Sequence, residues 1–127
     1  MNLDGLIYPQ DGWGYMPPTE EIFNIFKDVK DICNPKIGLE IGFYLGHSTT
    51  YQLEIFKDME TLVSISPLDF YASNHEMHRR KSVQAERLKN KYKNRWHWLS
   101  GYTGSAMPVA QNQWTLRKWQ LLLEMNI

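Results

Sequence analysis

Helix-forming and strand-forming segments alternate along this chain, three of each. The strand-forming segments are short, rich in apolar, β-branched or aromatic residues, and cover residues 36–42, 61–66 and 95–101. The helix-forming segments carry apolar residues at helical spacing and cover residues 19–33, 47–58 and 73–93. Strands that alternate with helices require crossover connections, and such connections make neighbouring strands parallel. The sequence therefore predicts an α/β fold with a parallel sheet and flanking helices.

The composition fits one domain in a reducing compartment. The 127 residues, 43% of them apolar, are enough for a single core, so we expect residues 1–127 to form one domain. The single cysteine, Cys33, excludes an intramolecular disulfide, and we expect a buried thiol there. No apolar run approaches the roughly 20 residues of a membrane span, and the N-terminus lacks a basic leader region. These features predict a cytoplasmic protein without membrane contact.

The formal net charge is zero, but the charges are unevenly distributed. Between residues 79 and 95 Glu86 is the only acid, and the bases there are Arg79, Arg80, Lys81, Arg87, Lys89, Lys91, Lys93 and Arg95. A basic block can attract phosphate groups, so one hypothesis is nucleic-acid binding along Arg79–Arg95. The more common structure for such a block is the solvated face of a helix.

The sequence HEMH at residues 75–78 contains two histidines and Glu76. Its order differs from the H-E-x-x-H zinc motif, in which one helix face carries both histidine ligands. No cysteine cluster lies nearby. We therefore expect no metal site.

Two glycines separate the first predicted strand from the helix that follows it. Gly42 permits a tight turn and lets a ligand approach the backbone, while Gly46 leaves the first N–H groups of the helix facing the crevice. Open α/β sheets bind ligands outside the carboxyl ends of their strands, which is where this loop lies. Glu40 is an acid inside an apolar strand, so its carboxylate is either hydrogen-bonded nearby or held for a ligand.

The residues LEIGFYLGHST resemble motif I of the class I S-adenosylmethionine-dependent methyltransferases, and they are similar to the subset whose loop reads LEIG-x-x-x-G-x-ST. The resemblance covers about residues 15–108 and implies a Rossmann-like sheet. In that family the loop wraps the methionine part of the cofactor. The implied cofactor contacts in this chain are Glu40, Gly42, Phe43, Tyr44, Gly46, Ser48 and Thr49. The preference of helix N-termini for anions agrees with a ligand carboxylate near Ser48, and His47 is a further candidate for that contact.

The family landmark at the end of the second strand differs here. The family places an acid there that holds both ribose hydroxyls, often within SIDP, whereas this chain reads SISP with Ser66 at that position. A serine hydroxyl offers one adaptable hydrogen bond instead of a charge-assisted pair, and Asp69, three residues further on, is the alternative contact. The family's adenine-lining loop corresponds to GYTGSAMP, and the candidates there are Gly101, Ser105 and Ala106.

Beyond residue 108 the resemblance ends. The family continues with a fourth strand beside the first, whereas this chain has a Trp- and Leu-rich tail at 109–127. We therefore expect a Rossmann-like half at 19–108, truncated after about three strands. Residues 1–18 form an N-terminal segment or lid in this interpretation, with Asp11, Tyr15 and Met16 over the cofactor. Without a fourth strand the first strand is an edge, which predicts that the tail or another copy of the chain covers it.

The resemblance implies methyl transfer from S-adenosylmethionine to an acceptor that the residues do not identify. The protein's task in such a reaction is mainly to position the two reactants, and no catalytic residue can be named from the sequence. The alternative is a catalytically inactive relative that binds the cofactor or a nucleotide, or a partner subunit, because the acid and the fourth strand are missing.

Overall fold

The structure, a computed structural model, describes residues 1–9, 15–66 and 75–100, except the side chains of residues 75–78 and Ser100. Its elements are α1 (Glu20–Cys33), β1 (Ile37–Ile41), α2 (His47–Ile55), β2 (Thr61–Ser66), α3 (His75–Tyr92) and β3 (Trp96–Ser100), with one turn of 3-10 helix at Lys93–Arg95. Each predicted segment contains one of these helices or strands. Asp11, Asp69, Gly101, Ser105, Ala106 and the tail at 109–127 lie outside the described residues.

The three strands form one parallel sheet in the order β1-β2-β3, with Ile41 opposite Ile65 and Ser66 opposite Ser100. Both crossovers advance in the same direction along the sheet, so right-handed connections place α2 and α3 on the same face. The predicted α/β fold with a parallel sheet and flanking helices is confirmed. Among the described strands, β1 lies at one edge.

The core lies between the sheet and the two crossover helices. Trp96 is buried there, and its Nε1 donates to the Ser64 hydroxyl at 2.9 Å, so the ring is a core residue with its one donor satisfied. The buried apolar cluster consists of Phe43, Tyr51, Leu53, Ile55, Phe56, Met59, Leu62, Ala85, Leu88, Tyr92 and Trp96. Three of its members come from α2 and two lie just after it, so α2 is the most deeply packed of the three described helices.

Thr19 caps the N-terminus of helix α1, and its side-chain oxygen accepts from the Ile22 N–H at 3.3 Å. It packs on α2 through Phe23 and Phe26, whose rings contact the Tyr51 ring edge-on. No residue of α1 is buried, and the apolar side chains of Ile25, Val29 and Ile32 are exposed. The helix therefore has one apolar side against α2 and a second apolar side turned outward.

The prediction of a buried thiol is wrong. Cys33 lies exposed in the last turn of α1, where its Sγ donates to the Val29 carbonyl at 3.3 Å. The two residues are four apart and share one helix face. Val29 is also exposed, so this end of α1 leaves the Cys33 thiol at the surface.

At least six of the eight bases in the basic block have contacts within the chain. The Arg95 guanidinium donates to the carbonyls of Leu53, Phe56 and Met59 at 2.9–3.1 Å, so it caps the carboxyl end of α2. Lys91 donates to the Asn2 carbonyl, and Lys81 and Arg87 also donate to other side chains. Nucleic-acid binding along Arg79–Arg95 stays a prediction, with fewer side chains available for it than the sequence indicates.

Within the described ranges, no helix is both long enough and apolar enough to cross a membrane. The cytoplasmic location stays a prediction of the sequence. The described part of the chain also contains no group of three or more His, Cys, Asp or Glu side chains suited to a metal ion. The side chains of the HEMH segment lie outside that part.

Candidate functional site at the glycine loop

The loop between β1 and α2 is built on left-handed backbone. Gly42 has φ +90° and Gly46 has φ +79°, a region that favours glycine, and Tyr44 between them has φ +50°. The Gly42 N–H donates to the Ile65 carbonyl at 2.8 Å and extends the β1–β2 ladder by one residue. The Gly46 N–H donates to the Phe43 carbonyl at 2.9 Å and closes the turn before α2 begins.

The two glycines serve different purposes. A Cβ at Gly42 would meet no atom within 4 Å, so the backbone there is open to an approaching molecule. A Cβ at Gly46 would lie 2.7 Å from Leu88 Cδ1 and 2.9 Å from Phe43 Cε2, so packing against α3 requires the absent side chain. Helix α3 also holds the loop through Gln84, whose Nε2 donates to the Leu45 carbonyl at 3.2 Å. Gly42 is therefore the exposed point of a loop that is otherwise fixed.

A cavity of about 490 Å³ lies against this loop. That volume is in the range typical of small-molecule sites. Its lining residues come from the N-terminal segment, the loop, the start of α2, the end of β2 and α3: Tyr15, Met16, Ile41, Gly42, Phe43, Tyr44, Leu45, His47, Ser48, Ser66 and Lys81. The Tyr51 hydroxyl donates to the Met16 carbonyl at 2.8 Å, which fixes the N-terminal segment beside the cavity.

Most of the predicted site residues that the structure describes line the cavity, and three do not. Those that line the cavity are Gly42, Phe43, Tyr44, His47, Ser48 and Ser66, with Tyr15 and Met16 of the predicted lid. Glu40, Gly46 and Thr49 are buried and do not line it. Asp69, Gly101, Ser105 and Ala106 lie outside the described residues, so their predicted contacts stay predictions. The sequence places Lys81 in the basic block but does not predict that it lines the cavity, because its position there depends on how α3 packs on β2.

The carboxylate of Glu40 is the acceptor for four side chains. Ser48 Oγ donates to it at 2.6 Å, Gln52 Nε2 at 2.5 Å and Ser64 Oγ at 3.2 Å, and the Thr49 hydroxyl donates as well. Burial raises the pKa of the Glu40 carboxyl, and the four hydrogen bonds partly oppose that shift. Glu40 therefore joins β1 to the first turns of α2 and to β2, and it orients Ser48 at the cavity. A contact from Glu40 to the cofactor itself stays a prediction.

His47, the first residue of α2, is only 2% exposed, and neither ring nitrogen has a hydrogen-bond partner among the residues that the structure describes. Its ring contacts those of Tyr8 and Tyr15, with centroids 4.8 Å away in both cases, and the two tyrosine rings also contact each other edge-on at 5.6 Å. Burial lowers the pKa of His47 to about 4, so the imidazole is neutral near pH 7. A buried polar group without a partner is unfavourable. The sequence does not predict this environment of His47, because the tyrosines come from distant parts of the chain.

Ser66 and Lys81, two further lining residues, contact each other. Ser66 is the buried last residue of β2, and Lys81 Nζ on α3 donates to its hydroxyl at 3.4 Å. The Trp98 Nε1 donates to the Ser66 carbonyl at 3.0 Å and fixes the backbone there. Burial lowers the pKa of the Lys81 ammonium. The strand end that carries an acid in the resembled family therefore carries a hydroxyl and an ammonium here.

No family model matches the chain, and no curated protein and no solved structure shows significant similarity to it. The methyltransferase resemblance therefore depends on the loop residues and on the order of the elements. The fold and the cavity stand independently of that resemblance.

Proposed function

We propose that this chain is a methyltransferase-like protein that binds S-adenosylmethionine in the cavity at the glycine loop. The observation that carries the proposal is the open approach to Gly42, where the backbone has φ +90° and a side chain would fill free space. This opening lies at the carboxyl end of β1 and immediately before the N-terminus of α2, where His47 and Ser48 line the cavity.

The residues fit the cofactor in part. The backbone at Gly42–Tyr44 would lie beside the methionine part, and the N-terminus of α2 with Ser48 would bind its carboxylate. Ser66 would contact one ribose hydroxyl, and Tyr15 with Met16 would cover the ligand. The cofactor supplies an electrophilic methyl group when bound, and the protein's contribution would be to orient it toward the acceptor and exclude water.

The alternative is a relative that binds a cofactor or nucleotide without catalysing methyl transfer. Among the described lining residues there is no carboxylate, and the pKa of His47, about 4, makes its imidazole a weak base at neutral pH. A nucleophile that must lose a proton before methylation would therefore find little assistance from these side chains. Activity would then depend on an acceptor that is already nucleophilic.

Calorimetric titration with S-adenosylmethionine tests the binding proposal, with Gly42→Val as the site variant. Its matched control is Gly5→Val, because Gly5 also has a positive φ of +86° but does not line the cavity. The Gly5 Cβ would meet the flexible end of the Arg87 side chain, which can move aside. We expect the wild type and Gly5→Val to bind and Gly42→Val not to bind, with circular dichroism confirming that each variant is folded. Absence of binding by the wild type, or equal binding by all three, contradicts the proposal.

A second proposal concerns self-association, and the exposed apolar side chains of α1 and β1 favour it. Ile41 on β1 is 67% exposed, Leu39 is exposed on the same face of that strand, and Ile32 on α1 is 83% exposed. An edge strand with exposed apolar side chains readily pairs with another chain. We propose that two copies pair through the β1 edge. Sedimentation velocity should show a mass above that of the monomer that falls with Leu39→Lys, whereas a stable wild-type monomer contradicts the pairing.

A further inference from the structure

We infer that His47 and Ser48 together bind the amino-acid end of the ligand: a ring N–H of His47 donates to its carboxylate, and the Ser48 hydroxyl oxygen accepts from its ammonium. This inference rests on the proposed function, which puts the methionine part of S-adenosylmethionine beside the glycine loop. It adds which side chain holds each charged group, and it makes the site selective for nucleosides that carry an α-amino acid.

His47 offers a buried polar group at the cavity. The residue is 2% exposed, and within the described ranges neither ring nitrogen has a hydrogen-bond partner. It lines the cavity nonetheless, because it is the first residue of α2 and follows the glycine loop directly. A buried donor or acceptor without a partner is unfavourable, so a ligand group that pairs with the imidazole gains affinity by relieving that cost.

The position of His47 favours a negatively charged partner. Burial keeps the imidazole neutral near pH 7 by lowering its pKa to about 4, so one ring nitrogen carries a proton and can donate. The N-cap of α2 is Gly46, which has no side chain to cap the first N–H groups of the helix. The Thr50 N–H donates to the Gly46 carbonyl at 3.0 Å, so the N–H groups of residues 47–49 precede the helical ladder. The partial positive charge at this helix end and the donor of His47 both suit a carboxylate.

The Ser48 hydroxyl is an acceptor, and not a donor, toward a ligand. It has one hydrogen, which it donates to the Glu40 carboxylate at 2.6 Å. Glu40 is buried and accepts from three further side chains, so this hydrogen bond is held in place. The oxygen lone pairs of Ser48, which lines the cavity, match an ammonium. Ser48 can donate to the carboxylate only through its backbone N–H, and the side-chain donor beside it is His47.

The Tyr15 side chain controls access to His47. Its ring contacts the imidazole at a centroid distance of 4.8 Å, and it also lines the cavity. The backbone next to it is fixed, because the Tyr51 hydroxyl donates to the Met16 carbonyl at 2.8 Å. Rotation of the Tyr15 side chain alone would therefore let a ligand carboxylate reach one nitrogen of His47 and admit water to the other.

The test compares S-adenosylhomocysteine, its decarboxylated analogue, its deaminated analogue and methylthioadenosine, which has neither charged group, by calorimetry on the full chain. We expect the wild type to bind S-adenosylhomocysteine at least about tenfold more tightly than methylthioadenosine. His47→Phe should weaken the two probes that carry the carboxylate about tenfold and leave the other two within about twofold. Ser48→Ala should weaken the two probes that carry the ammonium about fivefold and leave the other two within about twofold.

His97→Phe is the matched control, because His97 lies on β3 and does not line the cavity. A second measurement, which needs no substitution, is the nitrogen NMR spectrum of the imidazole rings in the wild type. S-adenosylhomocysteine and its deaminated analogue should shift the protonated nitrogen of His47, and methylthioadenosine should not. If His47→Phe fails to fold, this spectrum decides.

The outcomes separate this inference from the proposed function. If the four probes bind equally and Gly42→Val abolishes their binding, the inference is wrong and the loop site stands. If the preference for the carboxylate survives in His47→Phe, or if Lys81→Met removes it instead, the carboxylate lies elsewhere and the inference is again wrong. His47 nitrogens that do not move at saturation contradict it as well. If none of the probes binds to the wild type, both the inference and the proposed function fail.

Discussion

The two helices that flank β1 in the sequence differ in what they bury. In α1 none of the 14 residues is buried, whereas α2 buries six of its nine: His47, Thr49, Thr50, Tyr51, Leu53 and Ile55. The buried set of α2 includes polar side chains, and Thr49 and Thr50 are held there by hydrogen bonds to Glu40 and to the Gly46 carbonyl. Helix α1 shows the reverse, because apolar Ile25 and Ile32 are 60% and 83% exposed.

The contrast separates two tasks. Helix α2 is packed against the sheet, α1 and α3, and the polar groups of its first turn are buried beside the cavity. Helix α1 needs only one side for packing on α2, and its second apolar side is available for another chain or segment. Changes in α2 should therefore affect stability and binding, and changes on the outward side of α1 should affect association.

The largest effect is expected at Leu53 in α2, which is fully buried in the core. Leu53→Ala should lower the free energy of unfolding by about 4 kcal/mol, since it removes buried methyl groups and leaves a cavity. The matched change in α1, Ile32→Ala, should alter it by less than about 0.5 kcal/mol in a monomeric sample. Urea denaturation of both variants measures the difference, and similar losses would mean that α1 is not exposed as described.

The next effect concerns the hydrogen bonds that join α2 to β1. Glu40→Ala leaves four donors without their acceptor and should lower the free energy of unfolding by about 3 kcal/mol. Glu40→Gln keeps one acceptor oxygen and should lose about half as much. The control is Glu86→Ala, an exposed acid on α3, which should leave stability nearly unchanged. A loss below about 1 kcal/mol in Glu40→Ala would contradict the role of this carboxylate.

The pH dependence of stability tests the buried start of α2. The pKa of His47 falls from 6.5 to about 4 on folding, so the unfolded state binds more protons between those values. Stability from His47 is therefore present above pH 6.5 and is lost as the pH falls toward 4. The full shift corresponds to roughly 3 kcal/mol, and solvent in the open cavity should reduce it to about 2 kcal/mol.

His47→Phe isolates the contribution of His47 to the pH dependence of stability. Glu40 also contributes, because its raised pKa makes its effect on stability decrease as the pH rises, but this effect is the same in the wild type and in the variant. The phenyl ring keeps the contacts with Tyr8 and Tyr15 and removes two nitrogens that have no partner in the described part of the chain. The variant should lose the stability decrease between pH 6.5 and 4 in thermal denaturation. An unchanged slope would show that His47 does not titrate as a buried group.

The smallest effect on stability is expected on the outward side of α1. Replacing Ile25 and Val29 by Gln should change the free energy of unfolding by less than about 0.5 kcal/mol, because both side chains are exposed. The same double change should lower the mass measured by light scattering if this side takes part in self-association. Lys27→Gln, an exposed position on the same helix, is the control. Unchanged mass in the double variant would restrict association to the β1 edge.

The sequence predicts the elements and the loop well, because periodicity and glycine spacing are local signals. The cavity at Gly42 follows from strand order, since the carboxyl ends of parallel strands meet at one edge. The partners of Glu40 and the isolation of His47 depend on packing between distant segments, and no local pattern records them. The sequence also does not predict that one apolar side of α1 is exposed, because Ile25 and Val29 fit the helical spacing that predicts a core face.

An amide NMR titration with S-adenosylhomocysteine tests most directly that the glycine loop is the binding site. The product is used because it carries no methyl group to transfer and no sulfonium charge. The predicted result is saturable chemical-shift change at Gly42, Phe43, Tyr44, Ser48 and Ser66, with the amides of Ile25, Val29 and Ile32 unmoved. Shift changes centred on α1, or none at millimolar ligand, would contradict the assignment of the site to this loop.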